Sequence, residues 1–300
     1  MSELADPIPQ GALWRDYLAL CKIKVVALIV FTALVGMLLA TPGLVPLDVF
    51  VLGNVGIGLG AASGAAFNHI IDQRIDALMA RTRSRPLPRG RVNQRQAIIF
   101  AASMSVASVV VLALGVNVLT AALTFASMIG YSVVYTMYLK RATPQNIVIG
   151  GAAGAMPPVL GWTAVTGTID GYALLLFLII FAWTPPHFWA LAIHRRDDYA
   201  KADIPMLPVT HGLAFTRLHI LLYTIILFVV SILPFVTGMS GPIYLGGAFF
   251  LGVAFMGHSL RLFFEDQSVG LPMRTFNFSI WYLAALFAIL LLDHYLPRSM

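Results

Sequence analysis

Nine runs of apolar residues, each long enough to cross about 30 Å of hydrocarbon, leave this chain little choice but a helical membrane bundle. They fall near 17–40, 47–71, 96–115, 117–138, 144–164, 171–193, 214–236, 242–262 and 275–296. The fifth is the weakest, being rich in Gly and broken at Pro157-Pro158. With 59% hydrophobic and 11% charged residues over 300 positions, the composition excludes a soluble domain. The expected fold is therefore all-α: one polytopic domain over 1–300, its nine helices bundled around a cytoplasm-facing cavity. The polar start carries Asp and Glu without a basic segment and cleavage site, so 1–14 reads as a cytoplasmic tail and the first run as a retained span. Cys21 stands alone and reads as a small apolar residue at a helix start.

The charges are as ordered as the apolar runs. Loops between spans one and two, three and four, five and six, and seven and eight hold no Lys or Arg. Eighteen of the nineteen basic residues lie on the other side, with only Arg298 opposite. The positive-inside rule then puts the N-terminus in the cytoplasm and the C-terminus outside, as a multi-pass protein of the cell inner membrane. Membrane topology also explains the net charge of +6, so no nucleic-acid partner is expected.

Two polar clusters interrupt this pattern on the basic side. In the first, Asn68, Asp72 and Asp76 are four apart and form one helical stripe. Carboxylates one turn apart repel, and a lone Asp at mid-membrane costs about 2.5–3.5 kcal/mol, so the stripe calls for a cation or a wet cavity. Oxygen ligands of this kind suit Mg²⁺, which takes one or two carboxylates and fills its shell with water and phosphate oxygens. Arg81, Arg83 and Arg85 follow on a Pro-rich loop, and guanidinium forks match phosphate bidentately. A basic loop drawn to anionic headgroups is the plainer alternative. Together, stripe and loop read as a metal-diphosphate site.

In the second cluster His187 and His194 are seven apart, nearly eclipsed on a helix, and Asp198 follows one turn later. That helix is expected to continue to about Tyr199 and to kink at Pro185-Pro186. The face offers two haem or metal ligands leading to a carboxylate; each histidine could equally be a packed side chain. Asp197 points away and reads as a solvated partner of Arg195, Arg196 or Lys201. Lys22 and Lys24 before span one, and Lys140 and Arg141 after span four, are snorkelling anchors or phosphate clamps. Tyr131, Tyr135 and Tyr138 are an interfacial belt or the lining of a pocket for an isoprenoid cation.

The chain resembles the intramembrane prenyltransferases typified by 4-hydroxybenzoate polyprenyltransferase, and within them the subgroup that farnesylates haem. The stripe Asn68-x-x-x-Asp72-x-x-x-Asp76 matches the superfamily's first Asp-rich motif. The subgroup is suggested by Met79-x-Arg81-Thr82-Arg83-x-Arg85-Pro86-Leu87-Pro88, by the block from Tyr135 to Gly154, by Trp183-Thr184-Pro185-Pro186-His187, and by the block from Asp198 to Pro208. The match spans most of 15–215; the last three spans correspond only as hydrophobic helices. His194 stands where relatives with phenolic acceptors have a carboxylate, and Lys22-Ile23-Lys24 where members have Lys-Pro-Arg.

The resemblance implies Mg²⁺-dependent transfer of a farnesyl group from farnesyl diphosphate to a vinyl carbon of haem b. Water then adds, giving haem O. It implies metal and catalytic roles for Asn68, Asp72, Asp76 and Asp198, and diphosphate contacts from Arg81, Arg83, Arg85, Lys22, Lys24, Lys140 and Arg141. His187 and His194 would face haem. A downstream haem-modifying enzyme or terminal oxidase would be the protein partner, and membrane lipid the surroundings. Two rivals make different demands. A quinone-precursor or other aromatic acceptor calls for a carboxylate four residues before Asp198, where His194 stands. A proton-coupled transporter calls for acids at mid-membrane, whereas Asp72, Asp76 and Asp198 all lie at one interface.

Overall fold

The computed structural model describes residues 12–79, 82–265 and 270–296, and among these there are helices and no strand. The helices are α1 (Trp14–Leu20), α2 (Ile23–Leu39), α3 (Leu47–Ile71), α4 (Gln73–Leu78), α5 (Gln94–Gly115), α6 (Val118–Ala142), α7 (Asn146–Thr166), α8 (Gly171–His194), α9 (Arg196–Lys201), α10 (Leu207–Thr210), α11 (Gly212–Val236), α12 (Pro242–Phe264) and α13 (Leu271–Tyr295). Among the described residues eight are long and apolar enough to cross a membrane, and α1 with α2 makes a ninth if the bent pair is one span. Arg81, Arg298 and most of the tail lie outside the described residues.

Three spans show breaks or widened turns at places the sequence does not announce. Span one breaks at Cys21-Lys22, bends by 55° and places Lys22 in the left-handed region at φ 49°. The bend lays α1 against the polar end of the bundle, where its buried Asp16 pairs with Arg91 at 3.0 Å. Span four widens into a π-helix over Gly130–Leu139. Span six stops at His194: Arg195 (φ −108°, ψ 20°) separates it from α9, so His194 and Asp198 do not share one continuous helix. Pro185 and Pro186 remain inside α8, while the Thr184 hydroxyl donates to the Ile180 carbonyl at 2.8 Å.

Without a hydrophobic driving force between helices in lipid, close packing falls to small residues. A Cβ at Gly36 would lie 2.2 Å from the Pro158 carbonyl oxygen, and one at Gly161 1.9 Å from that of Ala33. There α2 and α7 touch backbone to backbone. Helix α3 packs against α5 along Gly56 and Gly60, and Ser108 and Ser63 tie the pair by donating to the Gly56 and Ala101 carbonyls at 2.7 and 2.8 Å. This rigid contact sets the direction of α3 as it arrives at Asn68.

The other half, α8 with α11, α12 and α13, is filled by Trp183, Tyr244, Phe255, Tyr282 and Phe287. Both of its buried tyrosine hydroxyls are paired: Tyr244 donates to the Ser231 carbonyl at 2.7 Å, and Ser231 and Tyr282 share a bond of 2.8 Å. At the end remote from the basic loops, α13 returns to α2 through His294 and the Thr41 carbonyl at 3.0 Å. The polar clusters gather at the opposite end.

Candidate functional site

Helix α3 ends at Ile71, yet the polar stripe survives the break. Asp72 N–H donates to Asn68 O at 2.9 Å and Asp76 N–H to Asp72 O at 2.8 Å, so one turn follows another through the junction with α4. Asn68, Asp72 and Asp76 are all buried, the carboxylate residues with only 2% and 3% of their surface exposed. Buried carboxylates need partners, and each has a cation. Lys140 reaches Asp72 Oδ2 at 2.5 Å and Arg85 reaches Asp76 Oδ2 at 2.6 Å.

Asn68 links these groups to two further elements. Its Nδ2 donates to Asp72 Oδ2 at 3.0 Å and to Thr136 Oγ1 at 3.1 Å, and its Oδ1 accepts from Lys22 Nζ. Lys22 comes from the bend between α1 and α2, Thr136 and Lys140 from the wide-turned end of α6. A left-handed residue and a π-helix, both rare, thus each present a side chain to the same asparagine–aspartate pair. The loop after α4 is held by the Thr82 hydroxyl, which donates to Asp76 O at 2.9 Å. Tyr131 and Tyr135, stacked with centroids 5.7 Å apart, stand on the same π-helix.

The oxygen atoms fit a hard cation. Asp72 Oδ1 is buried without a hydrogen-bond partner among the described residues, an open acceptor beside the Asn68 amide. No three His, Cys, Asp or Glu side chains converge to hold an ion among the described residues. Asp198 is therefore not gathered with Asp72 and Asp76 into a three-carboxylate group. One or two carboxylates with phosphate and water oxygens is the usual Mg²⁺ arrangement.

The second cluster is looser. Asp198 is half-buried on α9 and meets Arg195 at 3.7 Å, the partner the sequence suggested for Asp197. His194 is exposed at the end of α8. His187 lies deeper, buried between Trp183 and Phe276, whose ring centroids are 4.1 and 4.5 Å away. Its Nδ1 is 2.6 Å from Ser279 Oγ, while Ser279 donates to Phe276 O at 2.6 Å. A hydroxyl has one proton, so Ser279 accepts at His187 and the ring carries its proton on Nδ1. Nε2 is then the nitrogen with a lone pair.

The structure thus brings together Lys22, Asn68, Asp72 and Lys140, and joins Asp76 to Arg85. It leaves Arg83, Lys24 and Arg141 exposed. Lys24 lines, with Arg15 and Lys22, a groove of about 400 Å³ at the α1–α2 bend. Arg81 lies outside the described residues. Sequence reasoning passed over Thr136, although its place four residues before Lys140 puts both on one helical face. It also passed over Ser279, for which no spacing signal exists: the link to His187 spans 92 residues.

The described residues thus form a bundle of membrane-spanning length with lysine- and arginine-paired carboxylates buried at one end. The sequence matches the UbiA prenyltransferase family over residues 29–283, and the chain belongs to that family. A protein of Methylococcus capsulatus named protoheme IX farnesyltransferase is 60% identical over 286 residues, 95% of this chain and 96% of that one. A protein of Hahella chejuensis with the same name is 60% identical over 287 residues, 96% of each. Among solved structures, a digeranylgeranylglyceryl phosphate synthase superposes with TM-score 0.78 at 18% identity, covering 94% of this chain and 98% of that one. A UbiA homologue from Archaeoglobus fulgidus bound to GPP and Mg²⁺ gives TM-score 0.61 at 18% identity, covering 92% of this chain and 99% of that one. At such identities the superpositions establish the shared fold.

Proposed function

We propose that this chain, as a single catalytic domain, transfers a farnesyl group from farnesyl diphosphate to a vinyl group of haem b, giving haem O and diphosphate. The observation that carries the reading is the buried Asn68–Asp72–Asp76 series with its cations, in a chain 60% identical to proteins named protoheme IX farnesyltransferase across nearly their whole length. In the reaction the C1–O bond of the farnesyl diphosphate breaks and diphosphate leaves. The allylic carbon bonds to the terminal vinyl carbon, water adds its oxygen at the adjacent carbon, and a proton is released.

Asn68, Asp72 and Asp76 would hold Mg²⁺; Asp198 on α9, which the resemblance adds to that set, is not gathered with them in the structure. When bound, the ion neutralises charge developing on the departing diphosphate. Arg81, Arg83, Arg85, Lys22, Lys24, Lys140 and Arg141 supply positive charge for the same group, Arg in bidentate form. Because Lys140 and Arg85 are already held at Asp72 and Asp76, little reorganisation is needed to meet the diphosphate. Tyr131 and Tyr135 offer aromatic faces to an allylic cation, and the apolar bundle keeps water from it before the new bond forms. His187 and His194 face haem, with His187 Nε2 the nitrogen free to approach iron. The polar end is the cytoplasmic side of the inner membrane, and the product passes to a haem-modifying enzyme or terminal oxidase.

The test is to incubate the purified protein with haem b, farnesyl diphosphate and Mg²⁺ and weigh the products. Haem O, with its added farnesyl and water, is expected. Product from a phenolic acceptor but none from haem would overturn the choice of acceptor.

A further inference from the structure

Thr136 has a defined task in this site, one that rests on the reading of Asn68 as a metal-side ligand. We infer that Thr136 is a positioning residue that fixes the Asn68 amide so that its Oδ1 faces the incoming cation. Thr136 is fully buried and Asn68 is 4% exposed, so neither can turn to water for an alternative partner. A threonine hydroxyl carries one proton, and here it goes to the Tyr131 carbonyl at 2.8 Å. Thr136 Oγ1 can then only accept, and what it accepts is an amide proton from Asn68 Nδ2 at 3.1 Å. The second amide proton goes to Asp72 Oδ2 at 3.0 Å. Both protons are committed on one side, and the carbonyl oxygen is left pointing away, toward Lys22 Nζ. Turning the amide over would set Oδ1 against the Asp72 carboxylate and the NH₂ group against the Lys22 ammonium. The orientation follows from the proton inventory of three side chains.

The π-helix decides which carbonyl takes the Thr136 proton, and so where its oxygen stands to accept. In an α-helix a threonine hydroxyl bonds the carbonyl three or four residues back. Across Gly130–Leu139 the turn is wider, and the carbonyl within reach is that of Tyr131, five residues back. The local geometry of α6 thus fixes the hydroxyl, the hydroxyl fixes the amide, and the amide oxygen is a hard ligand on the side facing Lys22. Groups that orient ligands without touching the ion typically change metal affinity 10–100-fold when removed.

The experiment uses the full chain in detergent and follows thermal unfolding against Mg²⁺ concentration with inorganic diphosphate present, alongside kcat and KM. Thr136→Val and Thr136→Ala should each raise the half-saturating Mg²⁺ concentration by about tenfold or more, and Thr136→Ser should stay within about twofold of the parent. In an Asn68→Ala background, removing the Thr136 hydroxyl should add no further shift, because the effect passes through that amide. Unchanged Mg²⁺ midpoints in both hydroxyl-free variants, or an undiminished shift without Asn68, would overturn the inference. Should one of them not fold, the other and Thr136→Ser still decide the point. If the unmodified protein is not stabilised by Mg²⁺ and diphosphate at all, it is the metal reading that fails, not the role of Thr136.

Discussion

The two polar clusters differ in how far they reach through the chain. Around Asp72 the contacts run from Lys22 to Asn68, and from Asn68 and Asp72 to Thr136 and Lys140, tying three separate spans with buried groups. Asp198, by contrast, pairs with Arg195, three residues earlier and more than a third exposed. The first cluster is held by tertiary structure; the second is a local, wet arrangement with one deep member, His187. Residues of the first cluster should therefore respond to substitution as a unit, and those of the second nearly independently.

The largest effect is expected for Asp72→Ala and Asp76→Ala, each lowering turnover at least ~100-fold while the protein still inserts and folds. Asp198→Ala should cost less, and steady-state rates giving the reverse order would break the contrast between the clusters. Next comes Lys140→Met, which strands Asp72: removing one partner of a buried pair costs about 3–5 kcal/mol. Its thermal midpoint should fall sharply without Mg²⁺ and recover in part with it. An unmoved midpoint would mean that the Lys140–Asp72 contact does not hold the bundle. Arg85→Ala should weaken diphosphate binding more than haem binding, and Arg85→Lys should restore only part, since the ammonium lacks the fork. Equal losses for both substrates would indicate a general defect of the loop.

Within the second cluster, His187→Ala should lower haem affinity and shift the Soret band more than His194→Ala, with farnesyl diphosphate binding largely intact. An unchanged haem spectrum in both would make His187 a packing residue between Trp183 and Phe276. The smallest effect belongs to Arg195→Gln, where loss of an exposed pair should change stability by no more than about 1 kcal/mol. A larger drop in the thermal midpoint would show that the junction of α8 and α9 is tied more firmly than its exposure implies.

What the sequence discloses follows from periodicity. Apolar runs and one-sided charge reveal the spans because bilayer thickness acts on each segment alone. The i, i+4 stripe is legible for the same reason, since Asn68, Asp72 and Asp76 keep their spacing whatever packs beside them. The bend at Lys22 and the wide turns of α6 are not legible, because their side chains meet Asn68 and Asp72 from distant segments, and the break at Arg195 carries no Gly or Pro to announce it. Lys22 leaves the helical region where its side chain reaches Asn68, 46 residues away. The partnership of His187 with Ser279 likewise exists only after α8 and α13 meet. Thr136 lay between the two cases: its face could be counted from Lys140, but its proton donation to Tyr131 required the π-helix.

That π-helix also acts as a shift of angular frame. Converting Gly130–Leu139 to ordinary α-helix at unchanged length would raise both the twist and the rise per residue, and everything beyond would rotate and move along the axis. Lys140 would swing off Asp72 and Thr136 off Asn68, although no residue of the site had been replaced. The ten residues from Gly130 to Leu139 are therefore a phase element: the width of their turns, as much as their identity, aims the far end of α6. A chain with ordinary α-helical turns there would keep its spans, its charges and its stripe, and still miss its own site.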